Sequence, residues 1–451
     1  MFAYNAKLAF KSLNDRPSLT VLMVAAIAVG LGLFMTMLTL GHQSGKIPIP
    51  HISKQIHLIQ LDNREVTADD AENFTDMVDL TYQDANNLLN MDIAGAEQAL
   101  TWNTYGILNV EEQDIQPQRS SVVATNHAFF NMFEVPFLYG KGWDSDADQL
   151  GQAVIVLTKD SNDYLFGGIN SVGQQVRLNT QVLTVIGVLD DWFLARKFYD
   201  RSYSQARPDQ ALIPSNFAFN NDLPRNARFD CWSTTTNPRK FTTNYLTELK
   251  TSECAWITFW AKLPNNTKDD YQAQLGQYIE SQKNLGRFPR ENQYFLTNIN
   301  DQLSIIGSMG GRQQMLGMIS YMFFAVCLIN AVSILLAKFM RRTKEVSLRR
   351  ALGAKKRTIL QQHLIEVIFI GVIGGLFGIA FTYLGLQAML RVSLYASDYT
   401  QTAADLMPYH RMDWEMVMMA FSVSVGCTLL VGLYPIWRIC NVSPASQLKA
   451  Q

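Results

Sequence analysis

No phosphate-cradling G-x-x-x-x-G-K-S/T occurs in the 451 residues, so the chain is not expected to bind and hydrolyse ATP alone. His-Glu-x-x-His, paired Cys-x-x-Cys and G-x-S-x-G are also missing, which removes the usual signatures of zinc and serine hydrolase chemistry. The six histidines are scattered; His51 and His57 are the closest pair, and each reads as a lone solvated side chain. Asp190-Asp191 and Glu111-Glu112 are neighbours in sequence, and neighbours on a strand point to opposite faces, so they read as solvated acidic turns. Five cysteines are few. Cys327 and Cys427 sit in apolar stretches and Cys440 beyond the last one. Cys231 and Cys254 remain, either as a disulfide or as two small buried side chains. A net charge of −1 without a basic aromatic patch gives no reason to expect nucleic acid.

Charge is absent where it matters most. Leu19–Leu40, Met315–Ala337, Val367–Leu390 and Met416–Trp437 contain no Asp, Glu, Lys or Arg. Each exceeds the roughly 20 residues that cross a ~30 Å hydrocarbon core as a helix. The fold class expected is a polytopic α-helical membrane protein with four transmembrane helices and a large mixed α/β extracytoplasmic domain between helices 1 and 2. No charge lies within the runs, so no proton or ion relay is expected, which argues against a secondary transporter. Lys7, Lys11 and Arg16 precede the first run, placing the N-terminus in the cytoplasm. Asp398, Asp405, Asp413 and Glu415 outnumber Arg391 and Arg411 between the third and fourth runs, which suits the outer face, and Arg438 and Lys449 return the C-terminus inside.

Between Lys338 and Arg357 stand nine Lys or Arg against one Glu, pinned between two bilayer-length runs. That reads as a cytoplasmic turn. It looks helical: Leu348, Leu352, Ile359 and Leu360 supply apolar faces, Glu345 precedes Arg349 by four, and Gly353 marks a break or close approach. In the third run Gly371/Gly375 and Gly374/Gly378 form two overlapping G-x-x-x-G pairs that admit a second helix closely.

KEVSLRRALGAKKRTILQQHLIE followed by GVIGGLFG is similar to the signature of MacB/FtsX-type (type VII) ABC transporter permeases, where it joins the second and third spans. AFFNMFEVPFLYGKGWDSDAD, QAVIVLTKDSNDYLFGG and VGQQVRLNTQVLTVIGVLDDW resemble the MacB-type periplasmic core, with Lys141 where the family often has Arg. The tail NVSPASQLKA resembles the family's terminal segment, with Ser443 and Pro444 starting a short helix. The resemblance implies this organisation: an amphipathic interface helix over 1–18, the first span over 19–42, an extracytoplasmic MacB-like domain over 43–310 with a second lobe inserted near 143–255, and a second span with stalk over 311–340. A coupling helix over 341–362, a third span over 363–391, an outer loop over 392–413, a fourth span over 414–437 and a cytoplasmic tail over 438–451 complete it. Within the 43–310 domain, Val176–Leu178 and Val182–Ile186 read as a hairpin.

The resemblance further implies a non-catalytic permease that works by mechanotransmission in a bacterial inner membrane. Arg341, Arg342, Lys344, Glu345, Arg349, Arg350, Leu352, Gly353 and Ala354 would meet a separate ABC ATP-binding subunit. Two copies of that subunit are expected, binding ATP and Mg, with no cofactor in this chain. Attraction of the cations to anionic lipid is the plainer alternative, at ~1 kcal/mol each. A second permease, identical or a paralogue, and a periplasmic adaptor are further partners of the family, whose cargo includes peptides, antibiotics, toxins and lipoproteins. Two other readings stand beside it: an FtsX-like regulator of cell-wall hydrolases, and a membrane signalling receptor with a sensory ectodomain.

Overall fold

The computed structural model describes residues 17–44, 49–64, 79–91, 93, 95–110, 116–192, 199, 209–225, 230–231, 245–264, 267–290, 294–303, 311–341, 343–396 and 406–440. The interface helix expected over 1–18 (save its last two residues), the stalk around Ile306 and Met309, Asp398, Asp405 and the tail from 441 onward lie outside them. Two compact units divide the chain, residues 45–307 and the remainder.

The first helix, α1 (Pro17–Ser44), opens with proline at its first position, where no backbone N–H is needed. The 45–307 unit follows, with strands β1 (Ile56–Leu61), β2 (Glu97–Asn109), β3 (Gln118–Thr125), β4 (Phe137–Gly140), β5 (Val154–Leu157), β6 (Gln175–Leu178), β7 (Gln181–Leu189), β8 (Ala211–Pro214), β9 (Asp230–Cys231), β10 (Cys254–Ala255), β11 (Thr258–Lys262) and β12 (Tyr294–Asn298). Its helices are α2 (Tyr82–Leu89), α3 (Ala128–Met132), α4 (Ser145–Leu150), α5 (Lys159–Phe166), α6 (Ser215–Asn220), α7 (Tyr245–Thr251) and α8 (Lys268–Lys283).

Ten strands form one sheet in the order β12-β1-β11-β2-β3-β8-β5-β7-β4, with β6 bridging β2 and β7. β3–β8 and β5–β7 run parallel and the other pairs antiparallel. Side chains alternate across a strand, so the sheet feeds two cores. Val122, Ala124, Ile155, Leu157, Phe259 and Ala261 join one, beneath α2, α5, α6, α7 and α8. Val123, Val156 and Trp260 join the other, beneath the phenylalanines of α3. This is the mixed α/β layering expected. The hairpin is β6–β7, turned by Asn179 in the left-handed region. Within 143–255, where a second lobe is expected, β5, β6, β7 and β8 pair in the one sheet and share the common cores, while β9 and β10 form a two-stranded sheet of their own.

The second unit comprises α1 with α9 (Gly311–Met340), α10 (Thr343–Ala351), α11 (Lys356–Ala396) and α12 (Trp414–Cys440). Four of these helices are long and apolar enough to cross a membrane. Buried hydroxyls bond to helix carbonyls, Thr36 to Gly32, Thr382 to Gly378 and Thr428 to Ser424. α11 lies between two partners. A Cβ on Gly374 or Gly378 would stand 2.9 Å from Ile27 Cγ2 or 2.6 Å from Leu31 Cδ2 of α1. On Gly371 or Gly375 it would stand 3.1 Å from Cβ of Thr428 or Ser424 of α12. The Ser424 hydroxyl donates to Gly371 O at 2.8 Å.

Candidate functional site

The single helix expected over 341–362 is two helices meeting at an elbow. α10 ends where Gly353 takes φ +97°, a conformation that favours glycine. Ala354 N–H then donates to Arg349 O (3.0 Å) and Gly353 N–H to Arg350 O (3.1 Å), the paired bonds of a Schellman cap. The chain turns through Lys355, and residues 356–362 begin α11, so the third membrane helix extends beyond the expected 363–391 at both ends.

One side of α10 faces inward. Thr343, Val346 and Ser347 are buried, and Val346 joins a cluster with Met23, Ile27, Leu335, Phe339, Ile359, Ile436 and Ile439. Ala354 packs against the same cluster. The other side is open: Leu348 is 55% and Leu352 80% exposed, one turn apart, with Glu345 and Gly353 also exposed. Arg349 braces the elbow. Its guanidinium contacts Glu345 Oε1 at 2.5 Å and donates to Gln362 Oε1 of α11 at 3.2 Å. Arg341 is exposed and Arg350 half-buried. Arg342 and the Lys344 side chain lie outside the described residues. Lys355, Lys356 and Arg357 are exposed at the N-terminus of α11, where the helix dipole disfavours cations. Helix stability does not explain them.

Charge does lie inside the bundle, contrary to expectation. Lys338 of α9 places Nζ 2.6 Å from Glu366 Oε1 of α11, with side chains 2% and 0% exposed. Lys338 Nζ also reaches Thr20 Oγ1 of α1 at 3.5 Å. His363 Nδ1 is 3.5 Å from Glu366 Oε2, and its ring lies 4.7 Å from that of Phe339. Both charged residues stand one position outside an uncharged run, so the runs themselves carry no sign of them. The available signal was a lone Lys and a His-x-x-Glu at facing ends of two runs.

In the 45–307 unit Cys231 and Cys254 are opposite one another on β9 and β10 and joined by a disulfide. His51 is solvated and 2.9 Å from Glu134. His57, expected to be solvated, is buried with Nδ1 3.0 Å from Gln55 O, and burial lowers its pKa. Asp191 pairs with Lys159 at 2.8 Å. Among the described residues no group of three or more His, Cys, Asp or Glu is arranged to hold a metal.

Two families match this chain: the MacB-like periplasmic core domain over residues 20–275 and the FtsX-like permease C-terminal domain over 317–444. The macrolide export ATP-binding/permease protein MacB of Neisseria meningitidis serogroup A is 22% identical over 95% of this chain and 58% of its own length. The pyoverdine export ATP-binding/permease protein PvdT of Pseudomonas syringae pv. tomato is 26% identical over 74% and 43%. The chain thus spans about half the length of these curated relatives. The periplasmic region of MacB from Actinobacillus actinomycetemcomitans aligns at 15% identity and a TM-score of 0.35, covering 58% of this chain and 95% of that one. With the MacB-like match covering more than half of the residues and the FtsX-like match most of the rest, the chain belongs to the MacB/FtsX-type family of ABC transporter permeases.

Proposed function

We propose that the chain is the permease of a mechanotransmitting ABC transporter whose α10 elbow is moved by a separate ATP-binding subunit. The observation that carries this reading is the elbow's division of faces. Val346 is sunk into the bundle, while Leu348 and Leu352 stand out exposed among cations. Solvated helices seldom present two leucines one turn apart on an otherwise charged tip. A docked partner would bury both, at roughly 25 cal/mol per Å2 of apolar surface. Membrane lipid is an alternative attraction for Arg341, Lys355, Lys356 and Arg357, and it leaves the Schellman turn and the Arg349 brace unexplained.

On this reading ATP and Mg belong to the partner, present in two copies, and this chain pairs with a second permease. Closure of the ATP-binding subunits pushes the elbow, and the helices pass that movement to the 45–307 unit outside the inner membrane. Both termini lie in the cytoplasm. The cargo class is a peptide, antibiotic, toxin or lipoprotein worked on at the outer face, with an adaptor as a further partner. The names of the relatives, macrolide and pyoverdine export, agree with export as the direction.

The test is co-purification of the full-length chain with its nucleotide-binding subunit, followed by ATPase and transport assays on Leu352→Glu and Gly353→Val. Leu352→Glu is expected to weaken the association, and Gly353→Val to leave it bound while separating ATP turnover from transport. Unchanged coupling in both variants refutes the reading.

A further inference from the structure

We infer that the Lys338–Glu366 ion pair is a positioning device that holds α9 and α11 in a single register beneath the elbow, so that a displacement of α10 moves both helices together. The purpose of the pair rests on the coupling reading above; its geometry does not. Both side chains are essentially sealed from solvent in a unit built for a membrane, where ionisable groups are costly and mark function.

Stability does not account for the pair. Replacing a buried ion pair by apolar residues of similar volume is often neutral or stabilising, and Leu335, Phe339, Val367 and Ile370 of the same two helices already share one buried cluster. What apolar contact does not supply is discrimination between registers. If α9 slid along α11 by one turn, about 5.4 Å, leucines and isoleucines would find new neighbours. Lys338 and Glu366 would each be buried without their partner. The pair therefore penalises slip far more than packing does.

Its placement fits that task. Lys338 stands three residues before Arg341, where α9 gives way to the elbow, and its Nζ also reaches Thr20 at the start of α1. His363, one turn nearer the elbow, lies between Glu366 and the Phe339 ring. Arg349 to Gln362 provides a second tie between α10 and α11.

The experiment uses the full-length chain in lipid nanodiscs with Cys327, Cys427 and Cys440 replaced by alanine and spin labels at Met340 and Leu360. Labelled chain is diluted with unlabelled chain, and the distance distribution is read by double electron–electron resonance. The parent is expected to give one narrow distance. K338M/E366M is expected to melt no lower than the parent yet to show a second population displaced by roughly 5 Å, one helical turn. E366Q, which keeps the shape of the side chain and removes its charge, is expected to show the same population in smaller amount. A single unshifted distance in both variants overturns the inference. That result with an ATP-binding subunit still bound removes the positioning device alone. A second population in a chain that binds no such subunit upholds the device and removes the coupling reading.

Discussion

Loss of Arg287 should destabilise the 45–307 unit by a readily measured amount. Its guanidinium holds Asp84 through Nη1–Oδ1 and Nη2–Oδ2, both 2.8 Å, and Glu253 through Nε–Oε1 at 2.8 Å and Nη2–Oε2 at 2.9 Å. It thereby ties the segment beyond α8 to α2 and to the residue before β10. Burial alone would lower its pKa, but the hydrogen bonds and charges of Asp84 and then Glu253 outweigh that and raise it. Arg287→Met leaves two carboxylates unequally placed. The Glu253 side chain is 39% exposed and can rehydrate, whereas that of Asp84 is 1% exposed and cannot. Asp84 keeps hydroxyl donors from Thr81 and Tyr278, both at 2.6 Å, which soften the loss. The expected cost is therefore near the lower end of the range for breaking a buried pair, about 3 kcal/mol. For a unit of this size each kcal/mol moves the midpoint by about 2–4 °C, giving a fall of roughly 6–12 °C. Intrinsic fluorescence of the buried Trp102, Trp256 and Trp260 reports it in the full-length chain. Adding Asp84→Asn to Arg287→Met should restore part of the loss, because the stranded charge is then gone. A midpoint unchanged by Arg287→Met, or lowered further by adding Asp84→Asn, refutes the assignment of the cost to Asp84.

Gly378→Val should abolish the monodisperse chain in size-exclusion chromatography, since its Cβ meets Leu31 at 2.6 Å, whereas Gly426→Ala, with open space around it, should run as the parent does. His127 carries a raised pKa, chiefly from its hydrogen bond to Asp148 at 2.6 Å, so its protonated form stabilises the fold. That contribution is fully present below the ordinary histidine pKa of about 6.5 and is lost as pH rises through the higher folded value. Melting curves from pH 6 upward should therefore decline more in the parent than in His127→Gln, by a small margin because the imidazole is half exposed.

The spans were legible because a membrane helix is a long local statement: an uncharged run is sufficient evidence and needs no partner. The ends of those helices were not legible for the same reason. Lys338 and Glu366 each look like the charge that terminates a run, and only their meeting across 28 sequence positions makes them interior. Gly353 announced a break through its residue type alone. Gly371, Gly374, Gly375 and Gly378 announced close approach but not to whom, since spacing sets the faces of a helix and leaves the neighbours unnamed. The structure gives one face to α1 and the other to α12. In the sheet, the hairpin β6–β7 was legible, because its two strands are joined by a two-residue turn. Alternation could not place β8 between β3 and β5, a pairing made across some 50 or more residues of chain. The second lobe expected near 143–255 rests on the family resemblance rather than on a pattern of residues, and β8 within that range belongs to the common sheet.

Covalent connectivity limits how a push on the elbow could leave this bundle. The 45–307 unit is inserted between α1 and α9, so only those two helices continue into it. The elbow is instead continuous with α9 and α11, and α11 and α12 have no direct covalent route outward. On the proposed reading, a movement received by α11 has a covalent route to the 45–307 unit only by way of α1 and α9. Both hand-overs exist. Gly374, Gly378 and Gly385 bring the α11 backbone onto Ile27, Leu31 and Thr36 of α1, spread over about three turns. Lys338–Glu366 fastens α9 to α11 at the end nearest the elbow. Glycines inside a helix each cost roughly 1 kcal/mol of helix propensity relative to alanine. Their use here follows from the need for backbone proximity where side-chain burial alone provides little drive between helices in lipid. Mechanotransmission, on the proposed reading, asks for a rod gripped at both of its outlets, and α11 is gripped by shape at one and by charge at the other.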